Sequence, residues 1–546
     1  MDSELSEQSG FSLLWIVAGI SLVASICLAN LPERTWVFSD TAHYMSVARL
    51  LQSGDGISTD LIYYSEQSQV GSIPAPQTVF PPGYPALVAA IASVTPLDHH
   101  DAGRLICILA YASIAPLIFL LGTSGGIKPS LSAYAALLWL PIVAAWMPLW
   151  CYSSDVLFVS LTLASILCFA RADGHWRGLL AAGLLAACAV AVRYAGVFLG
   201  ITFGVIFLLR HRIQLLRSIR DGSFAIGPPL LTTLAMFARN SMLIGHWKGG
   251  NKYAGHSLGY VLKMFYYCAC EFTGFSKTEL MEGSLFCIAQ VVFVVALLSL
   301  IIFGIATRRA AVGRELAGRM GAMLIYAPLS IAMLIFLHAR SSSGMTPRLF
   351  LPVIPCLLLG FAILFQWVFE NYQRLRLVAV CVVVSGMLGV LVGQTRCMAD
   401  FRTRALRGVA TRQILNEPIT ETENLRQYLQ ARCDSKNTLL SSMPQMTHLF
   451  VERPSVGLPT GFYNVTGEPW SFERVERLAQ RFKVRYVLLL THPDTSVHHS
   501  TFFKKLAEGN KPEWLASRHV GENFQLFEVV PCDEDTPQSH DGRSNL

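Results

Sequence analysis

Apolar residues in this chain come in long, nearly uncharged blocks, and the blocks recur from residue 11 to residue 394. A helix needs about 20 apolar residues to cross roughly 30 Å of hydrocarbon, and only helices and closed barrels satisfy their backbone polar groups there. The pattern therefore predicts a polytopic α-helical membrane protein with about 11 spans. The predicted spans are 11–31, 103–122, 131–150, 152–171, 177–192, 194–209, 223–243, 285–306, 320–338, 349–369 and 377–394.

The hydropathy falls after Gly393, which predicts a small soluble α/β domain over 395–532 behind a membrane domain of 1–394. Residues 533–546 are polar and are expected to be disordered. Within the tail domain, periodicity predicts helices at Asn424–Arg432 and Phe472–Phe482, and strands at Thr438–Met443, Val484–Leu490 and Phe524–Val530.

Composition supports the membrane interpretation, since 53% of the residues are hydrophobic and only 14% are charged. Soluble domains carry nearer a quarter charged residues. The formal net charge of +7 does not indicate a nucleic-acid partner, because the basic residues lie in short loops between apolar runs. The bilayer is the expected partner.

The positive-inside rule assigns the four most basic connections to the cytoplasm. The first ten residues lack the basic region of a signal peptide, so 11–31 is expected to remain as the first helix, with a cytoplasmic N-terminus in the plasma or inner membrane. The short apolar segment 84–97 is predicted to lie on the membrane surface. The basic loops are 171–177, 210–220, 307–319 and 374–376, and the outer parts are then 32–102, 244–284, 339–348 and the tail domain.

The first outer loop, 32–102, carries the most informative motif. Asp40, Tyr44, Ala48 and Leu51 recur at helical spacing and so share one face of a short helix that ends at a glycine. Further along comes Phe80-Pro-Pro-Gly-Tyr-Pro85, a stiff turn that leads into the short apolar segment.

The pattern D-x3-Y-x3-A-x2-L-x2-G followed by P-P-G-Y-P resembles the GT-C superfamily of membrane glycosyltransferases, which includes protein O-mannosyltransferases and lipid A aminoarabinose transferases. Three later motifs fit the same likeness: Tyr152-Ser-Ser-Asp155, Arg193-Tyr-Ala-Gly196 and Arg348-Leu-Phe-Leu-Pro-Val-Ile-Pro355. The resemblance extends over about residues 11–370, and it rests on the order and spacing of the motifs together.

The resemblance implies an enzyme that moves a sugar from a polyprenyl-phosphate donor to a lipid, glycan or protein acceptor on the extracytoplasmic face. It makes Asp40 the catalytic carboxylate, with Asp155 organising the site. Arginine binds phosphate oxygens in pairs, which suits Arg193 and Arg348 to the donor phosphate. The substrate-binding candidates are Tyr44, Tyr84, His246, Lys248 and Lys252.

The cofactor prediction is limited. Some relatives use a divalent cation and others do not, and the sequence does not decide between them. No nucleotide cofactor is expected, because the chain contains neither a G-x-G-x-x-G motif nor a P-loop.

Each candidate residue also has a purely structural interpretation. Asp40 is suited to cap its helix. Asp155 either orients an arginine or a metal in the site or is a carboxylate at a helix start, which the helix dipole favours. Arg193 and Arg348 can extend toward lipid headgroups, and the loop 245–256 can be a flexible, solvated segment. Two other functions stay open: a transporter or flippase of lipid-linked sugars, and a non-catalytic scaffold for envelope assembly.

Overall fold

The computed structural model divides the chain into two compact units. One contains Met1–Thr59, Tyr64–Glu66 and Pro76–Leu406, and the other contains Asp60–Tyr63, Gln67–Ala75 and Arg407–Leu546. The structure describes residues 2–30, 39–210, 215–247, 257–272, 313–340, 346–371, 408–434, 437–458, 470–493, 495 and 500–530. The predicted spans 285–306 and 377–394 and the predicted disordered tail 533–546 lie outside these residues.

The described part of the first unit is mostly helical. Short 3-10 turns at Tyr194–Gly196 and Pro347–Phe350 interrupt the series of helices. The helices between residue 2 and residue 371 are α1 (Asp2–Asn30), α2 (Ser39–Ser53), α3 (Ser65–Val70), α4 (Gly83–Val94), α5 (His99–Ser124), α6 (Pro129–Leu137), α7 (Val143–Trp150), α8 (Ser154–Arg171), α9 (Trp176–Val192), α10 (Val197–Arg210), α11 (Leu215–Ile244), α12 (Leu258–Phe272), α13 (Gly313–Ala339) and α14 (Ile354–Asn371). Most of α3 belongs to the second unit.

Four of the described helices contain segments long and apolar enough to cross a bilayer: Gly10–Asn30, His99–Ser124, Ser154–Arg171 and Gly321–Ala339. Shorter apolar helices include α4 and α9. The twelve residues of α4 reach only about 18 Å at 1.5 Å per residue, so this helix is shorter than a span. The chain is an integral membrane protein by the length and composition of these helices; the full number of spans stays a prediction.

One predicted span is wrong. The apolar run 131–150 predicts a single helix, but the structure contains two short helices, α6 and α7, separated by a turn. Pro141 lies in this turn. Proline lacks a backbone N–H and its ring clashes with the carbonyl four residues earlier, so an uninterrupted helix is disfavoured there.

The second unit is built on a six-stranded mixed sheet with the order β2-β5-β4-β6-β8-β7. Strands β2, β5, β4 and β6 are parallel to one another. Strand β8 is antiparallel to both of its neighbours, β6 and β7. The strands are β2 (Leu61–Ile62), β4 (Thr438–Ser441), β5 (Ser455–Val456), β6 (Val484–Leu490), β7 (Leu515–Val520) and β8 (Phe524–Val529), while β1 (Ser58–Thr59) and β3 (Ala75–Pro76) stand outside this sheet.

Short amphipathic helices accompany the sheet, and Phe472–Arg481 shows why they form. The side chain of Ser471 accepts a hydrogen bond from the backbone N–H of Arg474 and so caps the helix. Val475, Leu478 and Ala479 are buried at the i, i+3, i+4 spacing of one helix face. The helices of this unit are α15 (Leu425–Arg432), α16 (Pro444–Val451), α17 (Phe472–Arg481) and α18 (Thr501–Ala507).

The edge strand β2 comes from the first loop and not from the tail. Leu61 and Ile62 pair with Ser455 and Val456 of β5, and both are fully buried. Ile62 belongs to the same apolar core as Val487 and Phe502 of the tail. The second unit therefore includes a segment that precedes most of the membrane helices in the chain.

We expect Ile62→Ala to lower the free energy of unfolding of the second unit by about 2–5 kcal/mol, because it leaves a cavity in the core. Val520→Ala is the matched control, since Val520 is 66% exposed on the same sheet, and it should change stability by less than about 0.5 kcal/mol. The full chain is unfolded with denaturant in detergent, and cleavage of the tail by a protease reports unfolding of the second unit in each variant. Equal effects would contradict a buried β2.

Candidate active site

Four charged side chains from separate elements of the first unit form one connected network. Arg348 Nη2 lies 2.6 Å from Asp40 Oδ2, and Arg348 Nη1 lies 3.8 Å from Asp155 Oδ2. Arg193 Nη1 forms an ion pair with the other carboxylate oxygen of Asp155. Two carboxylates and two guanidinium groups therefore balance each other.

The two kinds of group differ in exposure. The side chains of Asp40 and Asp155 are 10% and 3% exposed, while those of Arg193 and Arg348 are 19% and 20% exposed. All four side chains are therefore largely buried, and Nη1 of Arg348 has almost no exposed surface.

Both acids lie in the first turn of a helix. Asp40 is the second residue of α2, and Asp155 is the second residue of α8. The unpaired N–H groups of a helix N-terminus favour a negative charge. Ser153 caps α8 and also donates a hydrogen bond of 2.6 Å from its hydroxyl to Asp155 Oδ2.

Side chains of α2 hold the turn that precedes α8. Thr41 Oγ1 donates to the carbonyl of Cys151 at 2.6 Å, and the hydroxyls of Tyr44 and Ser154 share a hydrogen bond of 2.8 Å. Arg193 Nη1 also donates to Ser154 Oγ at 3.4 Å. The residues that flank Asp40 thereby position the residues that flank Asp155.

Tyr84 supports the same turn from α4. Its side chain is fully buried, and its hydroxyl donates a 2.5 Å hydrogen bond to the carbonyl of Tyr152. Tyr152 has a φ of +36°, a conformation that non-glycine residues rarely adopt. The geometry therefore gives the Tyr84 hydroxyl a backbone partner, and makes Tyr84 a residue that positions the Asp155 turn.

Two glycines of the sequence motifs are explained by close packing. A Cβ at Gly83 would lie 2.5 Å from the carbonyl oxygen of Ala191 in α9, and a Cβ at Gly196 would lie 2.3 Å from the backbone nitrogen of Val190. Any larger residue would push α4 from α9 or move the 3-10 turn that follows Arg193.

Aromatic rings pack around the N-terminal half of α2. The ring centroid of Phe80 lies 5.3 Å from that of Tyr44, 5.6 Å from that of His43 and 5.9 Å from that of Tyr64. Tyr44 also packs edge-on against Tyr84 at 5.1 Å. Such edge-to-face contacts favour a rigid arrangement of the rings next to Asp40.

Sequence reasoning missed a second set of residues, which holds the backbone of the first loop. Arg239 donates to the carbonyls of Gln77 and Ile57 at 2.8 and 3.0 Å. The hydroxyl of Tyr194 donates to the carbonyl of Thr78 at 2.8 Å. An arginine near the outer end of the predicted span 223–243 was the available signal, because a charge at that depth needs a partner.

The charge network sets the protonation of its members. Burial by itself raises the pKa of Asp40, but the positive charges of Arg348 and Arg193 outweigh it, so the pKa of this carboxyl lies below its usual value. Burial also lowers the pKa of Arg348, and the negative charges of Asp40 and Asp155 reverse that effect and raise it. Asp40 and Arg348 therefore form an ion pair.

Of the nine site residues proposed from the sequence, the structure brings Asp40, Asp155, Arg193, Arg348 and Tyr44 together, with Tyr84 directly behind them. His246 is exposed beyond the end of α11. Lys248 and Lys252 lie outside the described residues.

The side chains of this network do not form a typical metal site. Both carboxylates of the network face guanidinium groups, and the described ranges contain no group of three or more His, Cys, Asp or Glu side chains placed to hold a metal ion.

We expect Tyr84→Phe to destabilise the first unit by about 1 kcal/mol, because the Tyr152 carbonyl loses a hydrogen bond in a buried setting. Tyr134→Phe is the matched control, since Tyr134 is 60% exposed. Thermal unfolding of the full chain in detergent compares the two. A Tyr84 variant as stable as the control would mean that the hydroxyl does not support the turn.

Comparison with known proteins gives the fold. No protein-family model and no curated protein matches the sequence. The crystal structure of ArnT from Cupriavidus metallidurans bound to undecaprenyl phosphate is similar to this chain, with a TM-score of 0.54 and 12% identity, over 94% of this chain and 97% of ArnT.

Two further structures share the architecture. The archaeal oligosaccharyltransferase AglB from Archaeoglobus fulgidus, in complex with an inhibitory peptide and a dolichol-phosphate, matches with a TM-score of 0.50 and 14% identity, over 89% of this chain and 69% of AglB. The arabinofuranosyltransferase AftD from Mycobacteria matches with a TM-score of 0.53 and 15% identity, over 96% of this chain and 42% of AftD. All three are GT-C glycosyltransferases, and at these identities the likeness concerns the fold: the chain has the GT-C fold.

Proposed function

We propose that the protein is a GT-C-type inverting glycosyltransferase that uses a polyprenyl-phospho-sugar as donor and acts on the extracytoplasmic side of the membrane. The acceptor is a lipid, a glycan or a protein. The observation that carries this proposal is the convergence of Asp40, Asp155, Arg193 and Arg348 in one network of ion pairs. The structural neighbours solved with undecaprenyl phosphate and dolichol-phosphate support a lipid-phosphate donor.

The network supplies the groups that the reaction needs. A hydroxyl or amine of the acceptor attacks the anomeric carbon, and the bond from that carbon to the phosphate oxygen breaks. The polyprenyl phosphate leaves with the electron pair, and the acceptor's proton passes to Asp40 as general base. One carbon–oxygen bond is broken, one bond to the acceptor is formed, and no other reactant is required.

The arginines act on the leaving group. Negative charge builds up on the phosphate as the bond breaks, and fixed guanidinium groups stabilise it most where water is scarce. Arg193 and Arg348 are the more exposed members of the network. Arg193 directly follows α9, and Arg348 lies in the 3-10 turn Pro347–Phe350. Asp155 fixes Arg193 through their ion pair, and thereby acts as a positioning residue.

We expect Asp40→Asn to reduce sugar transfer by about 10²–10⁴-fold, because the amide cannot accept the proton. The assay incubates purified protein with labelled polyprenyl-phospho-sugars and envelope acceptors. Asp55→Asn, which removes an exposed carboxylate of the same loop, is the control and should stay active. Near-normal transfer by the Asp40 variant would refute its role, and vectorial movement of donor without product would indicate a flippase.

Replacing either arginine with lysine should lower the rate of reaction with the sugar donor, although the positive charge is kept. Because lysine cannot form two parallel hydrogen bonds to phosphate, we expect Arg348→Lys and Arg193→Lys to lower kcat/KM for the donor by about tenfold or more. Arg104→Lys is the control, since Arg104 donates to Ala29 and Asn30 of α1. Unchanged kinetics in both site variants would remove the arginines from the phosphate site.

A further inference from the structure

One of the two arginines proposed to bind the donor phosphate, Arg348, is already paired with the proposed base, Asp40. We infer that Arg348 keeps Asp40 inactive by pairing with it, and that the donor phosphate releases Asp40 by taking over Arg348. This inference rests on the proposed function and adds a regulation of the same site. The donor would then have to bind before an acceptor can be activated.

The geometry of the Arg348 fork is the first observation. Its Nη2 contacts Asp40 at 2.6 Å, and its Nη1 points to Asp155 at 3.8 Å. A phosphate is bound most strongly by two parallel N–H groups of a guanidinium. Both outer nitrogens of Arg348 face carboxylates, so a phosphate that uses this fork must compete with Asp40.

Arg348 lies closer to Asp40 than to Asp155. Asp155 has its own partner in Arg193, a hydrogen bond from the hydroxyl of Ser153, and a side chain only 3% exposed. Asp40 is the direct partner of Arg348. An incoming phosphate would therefore displace Asp40 from Arg348 and leave the Arg193–Asp155 pair in place.

Loss of this pairing changes the chemistry of Asp40. The positive charge of Arg348 contributes to keeping the pKa of Asp40 below its usual value, and a carboxylate held in this way is a weak base. When Arg348 turns to phosphate, burial remains and the attraction of the cation falls, so the pKa of Asp40 rises. Proton acceptance by Asp40 is thereby coupled to donor binding.

The competition predicts an unusual result for a residue in a catalytic role. Asp40→Asn removes the anion that competes for Arg348, so it should tighten binding of polyprenyl phosphate by about tenfold while it reduces transfer by about 10²–10⁴-fold. The measurement is the dissociation constant of polyprenyl phosphate for the full chain in detergent, with polyprenol as the phosphate-free probe. If Asp40 only organised Arg348 for the phosphate, the same substitution would weaken binding, which would overturn the inference.

Two controls separate competition from a general loss of negative charge. Asp55→Asn removes an exposed charge of the same loop and should leave the dissociation constant unchanged. In an Arg348→Gln background, Asp40→Asn should give a much smaller gain, because the group that it releases is gone. An equal gain in both backgrounds would mean that charge removal alone explains the effect.

A measurement on the unaltered protein covers the case in which Asp40→Asn does not fold. Infrared difference spectra of protein labelled with 13C-aspartate should show a shift of carboxylate bands when polyprenyl phosphate binds and none with polyprenol. Saturating binding without a carboxylate shift would refute the displacement. Absence of both binding and transfer in the wild type would instead refute the proposed function.

Discussion

Burial of charge is the constraint on which this site depends. Removing a carboxylate from water raises the free energy of the folded protein unless a cation or several hydrogen bonds compensate its charge. Breaking a buried ion pair is destabilising because it leaves the other charge buried without compensation. Asp40 and Asp155 are both buried and both paired, and the two arginines that pair with them come from distant parts of the chain. The helices must therefore assemble in one arrangement for the charges to balance.

The first loop acts as the template for that arrangement. Hydroxyl groups of Thr41, Tyr44 and Tyr84 hold the turn before α8, including the backbone of Tyr152 in its uncommon conformation. Because α2 carries Asp40 on the same short helix, the proposed base and the turn that presents Asp155 are set by one structural element. Strain at such a turn persists only where neighbouring contacts outweigh it.

Local pattern was sufficient for some features and insufficient for others. The helical spacing of Asp40 and Tyr44 predicted their shared location, and the periodicity of the tail placed helices and strands within a few residues of those at Leu425–Arg432 and Val484–Leu490. The pairing of Asp40 with Arg348 could not be read from spacing, because it depends on how the helices pack. Pro141 lies at the break between α6 and α7, but Pro116 and Pro328 lie inside helices, so a proline alone does not tell where a helix ends.

A strand of two residues is too short to give a recognisable pattern in a sequence. Strand β2 also has a consequence for the order in which the sheet can form during synthesis. Leu61 is made early, but its partner Ser455 emerges only after most of the membrane helices have been produced. During that interval Leu61 and Ile62 have no sheet to join. Pairing of strands that are so far apart in the sequence is slow. The sheet of the second unit can therefore be completed only after synthesis has reached β5.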